Sequence, residues 1–334
     1  MSNTVEKRNI ILNLYNSGIE PEVISLELDL SQDIVMQVIE NEINKKHKES
    51  SSDRSNVLLN KIYLDAIIDV ESMVKDSQVR TWNALKSKPD FDISIRDTQN
   101  ILERYIESKA NLVILHIDLV GSTRMSLTLP IDRLTTIIRS FAQQMSIMVS
   151  MYGGYVLKYI GDAVLAFFVV DEGEDVSGSN SNIEGNSEDN KSKGNNGFRS
   201  LQYTNAISCA YTMIKVIQKG INPILDQYDY PELKVRIGMD LGEVAVVQYG
   251  MDVDEHEKIV VRRPHIDLVG YTISTAVKMT SIASPDNIVI GKKLFEKLDN
   301  RHRDLFKMLP ENNDIWDYTS EATGKTYILY ESNH

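Results

Sequence analysis

Two aspartates stand where a chain could hold metal ions. Asp118 follows the apolar run 112–117 and precedes Leu119, Val120, Gly121, Ser122 and Thr123. A carboxylate at the mouth of a buried strand, beside a glycine turn, can hold a cation while main-chain N–H groups approach phosphate oxygens. Asp162 follows Gly161 between the apolar runs 155–160 and 164–170, and a Gly-Asp step in that setting predicts a tight hairpin turn. In a β-α-β-β arrangement the first strand and this hairpin are neighbours, so the two carboxylates converge. Oxygen-only ligands suit Mg2+ or Mn2+, which complete their coordination with substrate phosphates.

The elements needed to bring these residues together are legible as hydrophobic periodicity. Leu134, Ile137, Ile138, Phe141, Met145 and Met148 mark one face of a helix that ends at Gly153 and Gly154. A second helix resumes near Phe198, with Ala206, Ala210, Met213, Ile214 and Ile217 on one face. Leu233, Val235 and Ile237 alternate as a strand, and another apolar run follows Gly242 at 244–247. This β-α-β-β-α-β order predicts an α+β fold, a ferredoxin-like layer of helices on an antiparallel sheet. Additional strands are expected near 258–262, 287–290 and 326–330, with a helix from about Thr272. Residues 171–197, rich in Gly, Ser and Asn, read as a disordered surface insertion.

The amino-terminal third reads differently. Residues 5–43 predict three short helices, with Ser31 as an N-cap and Ile10, Ile11, Leu14, Ile24, Leu28, Val35 and Val38 as a small core. The pattern resembles helix-turn-helix modules. Its last helix carries Asp33, Glu40 and Glu42 and gains positive charge only at Lys45, Lys46 and Lys48, which is poor complementarity to phosphate. A dimerisation or protein-interaction bundle is therefore favoured over DNA binding. The expected domains are a trihelical module at 1–48, a linker with connector helices (56–74 and 97–108) at 49–107, and the α+β domain at 108–332.

A formal net charge of -12 over 334 residues argues against broad adhesion to nucleic acid or anionic membrane, and an acidic protein that binds a triphosphate needs cations at the site. Cys209 is the only cysteine, so no intrachain disulfide forms, and its helical context assigns it to the core. No signal-peptide pattern and no membrane-length apolar run is present, which makes a cytoplasmic location the expectation.

Four blocks in order, HIDLVGST (116–123), GGYVLKYIGDAVLAFF (153–168), VRIGMDLGEVAVV (235–247) and HIDLVGYTISTAVKM (265–279), resemble the signature blocks of class III adenylate and guanylate cyclase catalytic domains. The resemblance spans about residues 108–332. It implies a head-to-tail homodimer, with Asp118 and Asp162 holding two Mg2+ or Mn2+ ions and the backbone of Leu119, Gly121, Ser122 and Thr123 around the phosphates. It further implies that the opposite subunit offers Lys158 and Asp267 to the purine, as in adenylate cyclases, which makes ATP the expected substrate and in-line attack of the ribose 3′-hydroxyl on the α-phosphate the expected reaction. Where the family usually places an Asn and an Arg that stabilise the transition state, this chain has Ser274 and Lys278. Serine reaches less far, and lysine loses the bidentate fork. Glu243 stands where some members have a phosphate-contacting arginine, and Lys325 is only weakly aligned with a carboxy-terminal phosphate lysine. A catalytically weak or inactive nucleotide-binding signalling module is therefore the alternative to an adenylate cyclase.

Overall fold

Contiguous chain runs from 68 to 86, 96 to 170, 192 to 256, 259 to 310 and 324 to 333 in the computed structural model. It also describes residues 30–39 and single positions within 8–28 and 316–319, and it omits the side chains of 96–97, 192–201, 252–256 and 259–263. The chain divides into two units, Met1–Asp65 and Ala66–His334. In the first, Ile11, Ile24, Val35 and Ile39 are buried together, with Leu28, Leu30 and Val38 packed against them. Residues 32–39 are helical there, and Lys45, Lys46 and Lys48 lie outside the described residues.

The second unit opens with α1 (Val70–Lys86) and α2 (Arg96–Leu102), which a 3-10 turn (Glu103–Tyr105) joins to β1 (Ser108–Leu119). Next come α3 (Ser122–Thr128), α4 (Ile131–Met151), β2 (Tyr155–Ile160), β3 (Ala163–Val169), α5 (Ser192–Val216), a π-helical segment (Ile217–Ile221) and α6 (Asn222–Asp226). The chain continues through β4 (Val235–His256), β5 (Ile259–Val269), α7 (Tyr271–Thr280), β6 (Asn287–Gly291), α8 (Lys292–Lys297), α9 (Asn300–Arg303), β7 (Phe306–Met308) and β8 (Leu329–Ser332). The strands form one eight-stranded sheet in the order β2-β3-β1-β4-β6-β8-β7, with β5 also paired to β4. The segment β4-β1-β3-β2 is antiparallel and has the ferredoxin-like order expected from the sequence; β6 runs parallel to β4.

The two faces of the sheet are covered differently. Alternation along β1 sends Val113, Leu115, Ile117 and Leu119 into a large core with α4 and α5 residues such as Phe141, Met145, Ala210 and Met213. Leu112 and Ile114 point into a second core with Leu102, Tyr155, Leu157, Phe167, Val244, Val246, Ile266, Leu268 and Ala276. Cys209 is fully buried as expected, and burial pushes its thiol pKa up.

Four sequence expectations change. Of the first connector helix, expected at 56–74, residues 56–67 lie outside the described residues and 68–69 are not helical; α1 instead runs from Val70 on to Lys86 and packs on α4, α5 and the π-helical segment. Gly220 makes that seat possible, because a Cβ there would collide with Ser77. The second expected helix is shorter, with β1 already under way at Ser108. Residues 192–197 are helical rather than part of the insertion, and 171–191 lie outside the described residues. Finally, the runs expected on either side of Gly242 form one strand, Val235–His256, because β1 pairs with it continuously from Val235 to Val246 and a glycine costs a ladder far less than lost pairing would.

Candidate active site

Asp118 is the penultimate residue of β1 rather than lying beyond the strand, and it is half-buried. Ile117 pairs with Val164 on β3, so Asp118 sits one register step from the β2–β3 turn that carries Asp162. Gly161 adopts φ 62° in that turn, a left-handed conformation in which glycine has no Cβ penalty. Burial raises the Asp118 pKa first, and the Asp162 charge raises it further; the Leu119 amide and the Arg236 charge oppose them. Arg236 is the register partner of Asp118 on β4, and its buried Nε has no protein partner.

Two like charges pressing on each other beside a strand end fit a divalent cation. Among the described residues no group of three or more His, Cys, Asp or Glu could enclose a metal alone.

The turn after β1 divides its amides between structure and solvent. The Leu119 amide donates to the Asp118 carboxylate, and the Leu119 side chain is packed in the larger core. The Val120 amide donates to the Lys234 carbonyl at 2.8 Å. Gly121, at φ 76°, then opens α3, whose first residues are Ser122 and Thr123. Leu119, expected among the phosphate contacts, is thus engaged within the protein.

Sequence reasoning passed over His116. It lies on the same strand face as Asp118 and is only 5% exposed, with its Nδ1 unsatisfied by protein. Burial drives its pKa down to about 4, against a raising effect from the nearby Asp162 charge, so the imidazole is neutral at neutral pH. The signal was available: a histidine interrupts an otherwise apolar run, two residues before the aspartate.

Lys158 and Asp267, 109 positions apart in sequence, form a hydrogen-bonded ion pair. They arise from β2 and β5, which are not sheet neighbours. A bulge between Val156 and Lys158 bends β2 just before Lys158, and another at Gln248–Gly250 bends β4, the strand paired with β5 beside Asp267.

Helix α7 carries both remaining candidates, Ser274 exposed and Lys278 half-buried, one turn apart. Its seat on β4 is unusually close. A Cβ at Gly238 would collide with the Ala276 carbonyl, and one at Gly242 with the Thr272 hydroxyl. Between those glycines Asp240, 2% exposed, accepts from the Thr275 hydroxyl at 2.6 Å, the Tyr327 hydroxyl at 2.8 Å and the Leu241 amide at 2.9 Å. Burial nevertheless lifts its pKa to about 6. Glu243 is committed to an exposed ion pair with Lys109 at 2.7 Å, and Lys325 is exposed.

The family model of the adenylate and guanylate cyclase catalytic domain matches residues 104–330. The chain belongs to that family. Its cyclase domain is 24% identical over 237 residues to a curated cytidylate cyclase of Escherichia coli, a match that covers 67% of this chain but only 44% of that relative's length. Among solved structures it resembles the adenylyl cyclase CyaB of P. aeruginosa (17% identity, TM-score 0.45, covering 68% of this chain and 95% of that one). It also resembles the guanylyl cyclase Cya2 (16%, 0.47, 68% and 93%). Among the described residues no helix is long and apolar enough to cross a membrane.

Proposed function

We propose that the cyclase domain converts ATP to cyclic AMP and pyrophosphate in a homodimer, with Asp118 and Asp162 holding two divalent ions. The observation that carries this reading is the pairing of two environments in one sheet: mutually repelling carboxylates at the β1 end and the Lys158–Asp267 pair at the β2–β5 junction. Bound Mg2+ or Mn2+ would neutralise triphosphate charge and lower the pKa of the ribose 3′-hydroxyl. The main chain at Gly121, Ser122 and Thr123 lies beside Asp118 and would orient the phosphates. Lys158 would donate to a ring nitrogen and Asp267 accept from an exocyclic amine, each turning from its partner toward the base. Ser274 and Lys278 on α7 would donate to the charge that develops at the α-phosphate, the role that fixed donors fill in anionic transition states.

A second substrate follows from the same chemistry. Adenine and cytosine both carry an exocyclic amine beside an unprotonated ring nitrogen, whereas guanine and uracil carry a carbonyl at that place. A Lys–Asp pair therefore selects amino bases over oxo bases without deciding ring size. The cytidylate cyclase relative favours CTP as this second reading. Purified protein incubated with Mn2+ and each of ATP, CTP, GTP and UTP, with products read by mass spectrometry, separates the cases. Cyclic AMP or cyclic CMP supports the base assignment. Cyclic GMP or cyclic UMP as the main product overturns it, and bound but unconverted nucleotide would make this a nucleotide-binding signalling module.

For the first unit we propose a dimerisation or protein-interaction role, supported by the buried Ile11, Ile24, Val35 and Ile39 cluster and the acidic Asp33 on its 32–39 helix.

A further inference from the structure

Helix α2 precedes the signature blocks and carries none of the residues that the cyclase resemblance assigns. It nonetheless touches both strands that bear the base-facing pair. Thr98, 3% exposed, donates its hydroxyl to the Val156 carbonyl at 2.7 Å. Val156 is where the β2–β3 register slips, two residues before Lys158. A bulge removes a carbonyl from the ladder, and a buried carbonyl must find another donor, which Thr98 supplies. One residue on, the Gln99 amide donates to the Ile266 carbonyl at 3.4 Å, next to Asp267. Leu102 closes the apolar contact: 2% exposed, it packs in the core that contains Tyr155 and Leu157 of β2 and Ile266 and Leu268 of β5.

Along the hydrogen-bonded sheet order, three strands, β3, β1 and β4, separate β2 from β5. No ladder therefore sets the spacing between Lys158 and Asp267. Among the described residues their own ion pair, the apolar core shared by Tyr155, Leu157, Ile266 and Leu268, and the bonds from α2 link the two strands, and the ion pair is the contact that must open when a base enters. We infer that α2 is a positioning element for nucleobase selection, in which Thr98 and Gln99 hold the two strands at a separation that admits an amino base. Both are positioning residues, since neither is placed against the reacting atoms. The inference rests on the reading of Lys158 and Asp267 as the base-recognising pair.

The test measures binding of ATP, CTP, GTP and UTP, each with Ca2+, by calorimetry on the full chain. The readout is the ratio of affinity for the better amino-base nucleotide to that for the better oxo-base nucleotide. Thr98→Val should reduce this ratio on the order of tenfold, the scale of one lost buried hydrogen bond. Thr98→Ser, which keeps the hydroxyl, should restore it. Gln99→Leu removes the second bond without touching the buried bulge, and it keeps the test decisive if Thr98→Val does not fold. Lys158→Met runs alongside. A ratio lost in both Lys158→Met and the α2 variants supports the inference. Loss in Lys158→Met with the ratio intact in folded α2 variants overturns it and leaves the base reading standing. An unchanged ratio in Lys158→Met overturns the base reading and the inference together.

Discussion

The two regions to which the proposed function assigns base and phosphate are built on opposite electrostatic plans. At the base end, Lys158 and Asp267 neutralise each other across a gap between strands, and the arrangement is complete without ligand. At the phosphate end, Asp118 and Asp162 repel each other at the mouth of a buried strand, and burial adds to the penalty. One end is pre-satisfied and must be opened by its ligand; the other is frustrated and is relieved by binding. Under the proposed function the two regions would have separate tasks: discrimination would cost the energy of parting an ion pair, whereas affinity for metal-nucleotide would come from removing a repulsion already present in the fold.

The most damaging break is at the frustrated end. Asp118→Asn should lower cyclic nucleotide formation on the order of a thousandfold or more. The metal-free variant should nevertheless melt at a higher temperature than the parent at neutral pH, because a carboxylate whose folded pKa is raised destabilises the fold when ionised. Mn2+ should raise the parent's melting temperature and leave the variant's nearly unmoved. A variant that melts lower than the parent without metal would show that the repulsion is not what the site stores.

The next largest effect concerns α7, to which the proposed function gives the α-phosphate. Replacing Ser274 and Lys278 together by Asn and Arg should raise kcat on the order of a hundredfold, with KM changed little, since donors made only in the transition state act on kcat. A rise confined to binding would place these residues in the ground-state complex instead.

At the base end the expected change is smaller. Lys158→Met should cost about tenfold in kcat/KM for the best nucleotide and most of the preference for amino over oxo bases. If Lys158→Met and Asp267→Leu prove strictly additive, the two side chains do not act as one recognition unit.

The smallest effect on turnover is expected at Asp240, beneath α7 and between the ends. Its folded pKa of about 6 exceeds the ordinary 3.8, so its stabilising contribution is complete below pH 3.8 and is lost as pH rises through 6. The stability of the parent minus that of Asp240→Asn should therefore fall by about 2 kcal/mol between pH 4 and 7. A difference that does not vary with pH would mean the carboxyl stays ionised throughout, held by its three donors.

Much of this plan could be read before any coordinates. Apolar alternation at 112–117, the Gly161–Asp162 step and the 3.6-residue stripe on α4 are local signals, and local signals fix strand, turn and helix. They also carried Asp118 and Asp162 to the same end of the sheet, because the β-α-β-β order leaves few alternatives. Contacts made at long range were not legible. A seven-residue helix such as α2 has no stripe to read, and its role lies in Thr98 meeting a carbonyl 58 positions away. His116 looked like part of an apolar run, and only the paired strands on either side of it reveal an enclosed imidazole with one nitrogen unsatisfied by protein. Gly242 read as a break because composition marks glycine as punctuation, while its actual use is to let α7 come close.

That closeness sets what can change in this lineage. Ser274 and Lys278 point away from the seat, so a single codon change can swap the tools that α7 carries without disturbing its height above the sheet. Gly238 has no such freedom, since a side chain there would press on the backbone of α7, and one at Gly242 would displace the Thr272 hydroxyl. Reactivity is thus easy to retune and geometry is not, and a domain built this way can drift between fast enzyme, slow enzyme and simple receptor while keeping one unchanging platform.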